Sequence, residues 1–573
     1  MRNGGLSLVV LSAVGLGALT SGIAWAQTPP AAAPLPPLTA APAPAAAAAP
    51  TAPSPAPATA PAPALAPPPA TASTTATASA SAAASAAPAG PPAASPSAGN
   101  AVQFTSLRLM RDKGIISQAE FDSAVHDLSE TSGQHSPDEG TVMMGKWATT
   151  LYGFVEADQI YDTTRSFNDL AGSTLVARPA ANGGSNAGDN GRMQMGIRNS
   201  RVGFRLKAPE VGCGVRASAM VELDFQGATL PVGVAQPYQG SEGAFFTSPT
   251  TRVRHMNLKV ETPIVDVLAG QYWSLFGWGS AYQPNTVEIQ GIPGEIYARI
   301  PQLRISKTIK ANPMTVELAV AATRPVQRDS ATPDGQGGLR LSVDSWTGVQ
   351  TTGSTGTMIS PASVAVTGLV RHVAVDAFSA KPKTTNDLGM SAFAIDGYIP
   401  VIPGSKHHRD NALSVQGEFS TGYGYADMFS NLNAGMTKYA TPTDATAANP
   451  AYVADIDNGI VTYDGLGHLH GIQYLTYLFG LQYYLPGTDG KAWISGNYSH
   501  TESQNTHFYA CKAGCSVTTA AAMSAYDWFD VNFFVDPTPA IRIGLEYANS
   551  HTQYVDTVNA INHRGQLSGF FLF

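Results

Sequence analysis

The sequence predicts an all-β transmembrane barrel, antiparallel and of about 16 strands, with a disordered Ala/Pro tether and a small helical hairpin before it. Three observations lead there. In residues 216–225 the apolar Ala217, Ala219, Val221, Leu223 and Phe225 alternate with Arg216, Ser218, Met220, Glu222 and Asp224. Successive side chains of a strand point to opposite faces, so this sheet has one apolar and one charged face. A soluble sheet hides its apolar face in a core, whereas a membrane barrel turns it to lipid and keeps the charged face for a wet lumen. The second observation is that connections between strand-like segments alternate long and short, and a soluble sandwich has no reason to put every long loop at one end. The third is the final strand, 563–573, which stops on Phe573 with Phe571 on the same face.

Taken in order, residues 1–26 read as a secretory signal: Arg2, an apolar stretch from Leu6 to Leu19, and a small-x-small site at Ala24-Trp25-Ala26. The stretch is short for a membrane anchor and nothing basic follows it to stop transfer. Residues 27–100 are almost entirely Ala, Pro, Ser and Thr, without a charged or aromatic residue, and cannot build a core. They form the tether. Residues 101–146 hold the hairpin and a linker: Asp112-Lys113-Gly114 ends one helix, and Ser117 with Glu120 caps the next, which carries Phe121, Val125 and Leu128 at helical spacing. The barrel occupies 147–573.

Sixteen strands are expected near 148–161, 192–207, 214–226, 251–261, 265–273, 299–309, 314–323, 338–346, 363–376, 387–399, 411–424, 468–485, 491–501, 526–536, 541–550 and 563–573. Long connections at 162–191, 227–250, 274–298, 425–467 and 502–525 alternate with short turns such as APEVGCG, TPIV and DPTPA. The 347–362 connection is longer than this alternation wants.

Formal net charge is −8 and only 13% of residues are charged, so there is no basic excess for nucleic acid. Of three cysteines, Cys511 and Cys515 are close enough to bridge in an exported loop, leaving Cys213 unpaired. The same CxxxC pair lacks the further ligands a metal needs, and no cofactor is implied. His407-His408 lies in a short turn, and His468 and His470 share a face near Tyr474. No Gly-x-Ser-x-Gly elbow or metal-ligand spacing accompanies them, so an enzyme is not expected.

A series of segments resembles the DcaP-like family of outer-membrane porins over roughly 147–573. LYGFVEADQIYD, with Glu156 and Asp158 on one face, is similar to its opening strand, and MGIRNSRVGF, with Arg198, Ser200 and Arg201, to its second. RVRHMNLKVE with LAGQYWSLF resembles strands four and five, NTVEIQGIPGE with RIPQLR an inward loop and strand six, and FDVNFFVDPTPAIRIGLEYA the penultimate pair. The resemblance implies a homotrimeric, substrate-preferring channel for small anions such as dicarboxylates. The Ala/Pro tether and hairpin stand where the family carries a coiled coil, and the loops at 324–362 and 425–467 depart from its pattern.

In such a channel arginine suits carboxylate solutes, because it stays charged and offers a planar fork of donors. Arg201, Arg205 and Lys207 share a face of strand two, with Arg216 across the turn. Arg252 and Arg254 share a face of strand four, and Arg299 and Arg304 flank Pro301-Gln302 at strand six. One basic wall is expected, opposed across the constriction by Glu156, Asp158, Glu222 and Asp224. Gln271, Glu288 and Glu295 border the same path. Arg198 is out of phase with Arg201, so either a bulge near Asn199 resets the strand or one of them sits at the rim. Trp273 and Tyr272 read either as an interfacial girdle or as part of the inward loop. For each arginine the alternative is a wall charge paired with a neighbouring acid.

The expected function is passive, anion-preferring diffusion of small solutes through a Gram-negative outer membrane. The expected partners are outer-membrane lipid, two further copies of the chain, small anionic solutes, and the barrel-assembly machinery through Phe573. The N-terminal region is expected in the periplasm. The alternative is a mainly structural barrel whose 27–130 region grips the cell wall or a partner.

Overall fold

A computed structural model describes residues from 141 onward, apart from 145–146, 172–173, 180–190, 210–212, 228–248, 289–290, 327–329, 377–383, 407, 431, 433–456, 458, 464–467 and 507–521; before 141 it describes Met110, Arg111 and Lys113. The tether, nearly all of the expected helical hairpin, and Cys511 with Cys515 lie outside the described residues. Sixteen strands make the barrel wall. They are β1 (Trp147–Asp162), β2 (Arg192–Gly196 continuing as Arg201–Lys207), β3 (Arg216–Gly227), β4 (Thr250–Glu261), β5 (Asp266–Trp273), β6 (Arg299–Ala311), β7 (Met314–Thr323) and β8 (Asp334–Thr352), followed by β9 (Gly356–Asp376), β10 (Thr385–Ile402), β11 (Leu413–Tyr423), β12 (Gln473–Tyr484), β13 (Ala492–Ser503), β14 (Met523–Thr538), β15 (Ile541–Tyr554) and β16 (Asn559–Leu572). A short strand, Thr141–Met144, pairs with the start of β1.

Every neighbour is antiparallel, and β16 closes the ring on β1 from Phe154↔Leu572 to Asp162↔Arg564. Gly153 and Phe573 seal the seam by exchanging two backbone hydrogen bonds, of 2.8 and 3.0 Å. Closure leaves no edge strand, which is what a sheet in lipid requires. The two faces differ as the alternation demands. On β15, Ile541, Ile543, Leu545 and Tyr547 are exposed, while Arg542, Glu546 and Ala548 between them are buried. Trp147, Trp346 and Phe571 stand outward near the short-turn ends, Tyr161 and Tyr423 near the long-loop ends. This is the outer surface of a barrel standing in a bilayer.

Two irregularities aim charge inward. Phe154 pairs with Arg201 and Asp158 with Gly196, so β2 spends five steps where β1 spends four. One extra residue in the Ile197–Ser200 turn reverses the phase. Gln194 and Arg198 face the lumen before it, and Arg201 and Arg205 after it. Arg198 and Arg201 therefore both face inward. On β4, Glu222 pairs with His255 and Leu223 with Val253, leaving Arg254 as the extra residue. Arg252, Arg254 and His255 thus all point in, although Met256 and Leu258 point to lipid.

The connection between β5 and β6, residues 274–298, folds into the barrel and lies across its middle. A loop buried there needs partners for its backbone. The wall supplies them. Gln336 Oε1 accepts from Leu275 N (2.9 Å) and Phe276 N (3.1 Å), Asn532 from Val287 N (2.9 Å), Glu546 from Glu288 N (2.8 Å), and Glu418 from Ile296 N (2.9 Å). The Ser499 hydroxyl donates to Pro293 O. Gly294 sits beside it at φ +87°, where an added Cβ would lie 2.9 Å from Ser499 Cβ. A β-branched residue fits neither that backbone nor that space. Gly294→Val is expected to free this end of the loop, and single-channel recordings should show a larger and noisier open state than the unaltered chain.

The expected 347–362 connection is not a loop. Residues 347–352 and 356–361 continue β8 and β9 as a paired hairpin around a three-residue turn. Val343 pairs with Ala362 and Thr347 with Pro361, so Asp344, Ser345 and Trp346 have no partner on β9. An insertion of that kind bends the strands, and the hairpin leaves the wall here.

Candidate functional site

The inward faces of β1 to β6 gather six arginines around two carboxylates. Glu222 accepts from Arg254 Nε at 2.7 Å and lies 3.6 Å from Arg201 Nε. Asp224 takes a bidentate contact from Arg252 (3.0 and 2.6 Å) and a third from Arg254 (3.2 Å). Arg254 also donates to the Tyr297 hydroxyl of the inward loop at 3.2 Å and is fully buried. Arg299 lies over the rings of Trp273 (5.1 Å) and Tyr297 (4.9 Å), Arg304 over Tyr272 (5.7 Å), and Arg205 over Tyr152 (4.1 Å). Among the described residues no carboxylate comes within ion-pair distance of Arg205, Arg299 or Arg304. Stacking holds a guanidinium in place without cancelling its charge.

A cavity of about 400 Å³ opens on this wall. Arg201, Arg205, Glu222, His255 and Tyr272 line one side, Ser280 and Gln283 of the inward loop another, and the β8–β9 hairpin tip the third. Glu295, on the loop rather than a strand, is buried, and among the described residues its carboxylate accepts from Ile292 N of its own turn alone. Burial, with the Glu418 carboxylate beside it, pushes Glu295 well above the usual carboxylate range.

The rest of the inner wall is organised differently. Arg564, fully buried on β16, holds Asp162 of β1 through two bonds of 2.9 Å and Glu288 of the inward loop at 3.0 Å. It also donates to Asn168 O at 2.7 Å, so one guanidinium ties two strands to two loops. On β9, Arg371 binds Asp334 (2.8 Å) and Asp427 (2.6 Å).

No family model matches the chain, and no curated protein matches its sequence. Among solved structures it is similar to the outer membrane channel DcaP of Acinetobacter baumannii, with 16% identity and a TM-score of 0.51, over 76% of this chain and 99% of that one. The fold is that of an outer-membrane channel barrel. Looser likenesses are to OmpT of Vibrio cholerae (10% identity, TM-score 0.39, 76% and 99% covered) and to the anion-selective porin of Comamonas acidovorans (9%, 0.39, 74% and 100%).

Within this channel barrel several expectations need correction. Arg216 is not on the inner path. It sits at the short-turn rim with its side chain 66% exposed, 3.5 Å from Glu261. Gln271 pairs with the lipid-facing Met256, which puts it on the outer face. Its amide donates to Val253 O (2.8 Å) and Arg254 O (3.0 Å), carbonyls that the β4 bulge leaves without ladder partners. Glu222 and Asp224 do not oppose the arginines across a gap; they stand among them as counter-ions. Glu156 and Asp158 are buried on the adjacent strand, Asp158 accepting from Ser568 (2.6 Å) and Asn199 (3.0 Å). Trp273 is no interfacial girdle residue: it packs against Tyr297 at 4.8 Å and His255 at 5.4 Å. Glu288 is the partner of Arg564. Of the expected path residues, Arg201 and Arg205 line the cavity, while Arg254 is sealed behind it.

Sequence reasoning missed Tyr152, His255, Glu418, Glu546, Arg564 and Asp530, whose inward carboxylate on β14 accepts from Trp528 Nε1 at 2.7 Å and Asn532 Nδ2 at 2.6 Å. The signal for the last three was present: each is a charged residue in the inward phase of a strand whose alternate residues are apolar.

Proposed function

We propose that the protein is an outer-membrane porin passing small anionic, carboxylated solutes by passive diffusion. The observation that carries this reading is the imbalance beside the cavity: Glu222 and Asp224 pair with Arg201, Arg252 and Arg254, and among the described residues no carboxylate comes within ion-pair distance of Arg205, Arg299 or Arg304. A fixed positive surplus in confined water lowers the cost of an anion and raises that of a cation. Arg201 and Arg205 meet the solute at the cavity, and the stacked Arg299 and Arg304 supply field from behind the aromatic residues. No step needs a cofactor or a reaction.

The same reading has the apolar outer face in outer-membrane lipid and three copies of the chain assembling as a trimer. Phe573 is then the aromatic end presented to the assembly machinery, and the segment before β1 lies in the periplasm. Native mass measurement in detergent tests the trimer. Swelling of proteoliposomes tests the solute class. A four-carbon dicarboxylate is expected to enter several-fold faster than an uncharged solute of equal size. Equal or slower entry would remove the anion preference from the reading.

A further inference from the structure

We propose that the β8–β9 hairpin is a second inner constriction, entering from the short-turn mouth, which closes the far half of the lumen and presses the solute path against the arginines. This rests on the porin reading and deepens it.

The argument begins with distance round the ring. The hairpin tip, Gly353 to Thr355, belongs between β8 and β9. Yet Arg542, near the short-turn end of β15, donates to Ser354 O at 2.6 Å and to Thr357 Oγ1 at 3.3 Å. β15 is seven strands from β8 in a ring of sixteen, nearly the opposite side. Only a segment crossing the mouth can make that contact. On the way it meets the wall at β11 and β12: Val349 O accepts from Ser414 Oγ (3.3 Å), Gln482 Oε1 from Thr351 N (3.1 Å), and Thr351 Oγ1 lies 2.8 Å from the Tyr484 hydroxyl. It is also bolted to the inward loop. Gly353 N donates to Pro284 O (3.0 Å), Asn285 Nδ2 to Gly353 O (2.8 Å), and Gln350 Nε2 to Ala281 O (2.9 Å).

Hairpin and loop together span the lumen between two differently sized spaces. Against β11–β13 they pack closely, with one void of about 10 Å³ lined by Gln350, Ser414, Gln482 and Asn497 among others. That is about room for a single water. Toward β1–β5 the cavity is about 400 Å³, and Thr352, Thr355 and Gly356 of the hairpin face Arg201 and Arg205 across it. The hairpin therefore does two things: it narrows the passage and keeps solutes within reach of the guanidiniums.

The test compares the full chain with a variant in which residues 347–361 are replaced by Asn-Gly, in planar bilayers. The variant is expected to conduct at least about threefold more per channel, with its anion-to-cation permeability ratio falling toward one, because ions then pass outside the arginine field. Unchanged conductance and ratio in a conducting variant would overturn the proposal. Should that variant fail to fold, Thr355→Cys keeps the hairpin. A bulky anionic thiol reagent is then expected to cut its conductance at least twofold relative to the identically treated unaltered chain. No difference between the two would overturn the proposal. If the unaltered chain itself passes no ions, or prefers cations, it is the porin reading that fails.

Discussion

Replacing Arg205, Arg299 and Arg304 together by glutamine is expected to leave the barrel folded and to reduce its anion preference about fivefold, a change of roughly 1 kcal/mol. The size follows from Coulomb arithmetic. A unit charge ~8 Å from an ion in well-hydrated surroundings is worth ~0.5 kcal/mol, three are worth ~1.5, and salt removes part of this. The barrel stays folded because none of the three has a carboxylate partner among the described residues, so their loss strands no buried charge. Reversal potentials measure the preference, and the heat-resistant folded band on a denaturing gel reports the fold. An unchanged reversal potential in a folded triple variant would show that these charges do not act on the path. Arg254 is a poor choice for such an experiment. It is fully buried on Glu222 and Asp224, and its removal would strand counter-ions, a cost of about 3–5 kcal/mol when a buried pair is broken.

Arg564→Met is expected to have the largest effect on the fold. The side chain is fully buried, and four bonds of 2.7–3.0 Å join it to Asp162, Glu288 and Asn168 O. Its loss leaves two carboxylates buried without their cation, a destabilisation of about 3–5 kcal/mol. Glu288 is also where the inward loop meets β16, so the loop's grip on the wall weakens with it. A lower temperature for the loss of the folded band is expected, together with a larger, unsteady conductance. The triple variant Arg564→Met with Asp162→Asn and Glu288→Gln is expected to recover much of the melting temperature, because amides carry no charge to strand. If the single variant melts with the unaltered chain, the cluster is not holding the loop.

Alternation made the barrel legible. Each strand that reads apolar-polar in the sequence became a strand with a lipid face and a lumen face, and the long loops fell at one end. What alternation cannot show is a change of phase. One extra residue at Ile197–Ser200 and another at Arg254 turned side chains inward that a regular strand would divide between two faces. Gln271 failed for the same reason, since it lies on the outer face and repairs the ladder beside a bulge. Ion pairing was the second gap. That Glu222 and Asp224 lie among the arginines depends on which strands are neighbours and in what register, information that no single strand carries. The acids of β11 and β15 stand in the inward phase of their strands, but only a loop arriving from the other side of the barrel gives Glu418 and Glu546 their work as hydrogen-bond acceptors. The β8–β9 hairpin was visible only as a connection too long for its place.

The central claim is that fixed positive charge governs what crosses this barrel. Its most direct test is the zero-current potential of the unaltered chain in a planar bilayer under a tenfold potassium chloride gradient. The account predicts a potential of the sign set by chloride passing more readily than potassium, and one that shrinks as total salt rises and screens the arginines. A potential of the opposite sign, with potassium preferred, would contradict it.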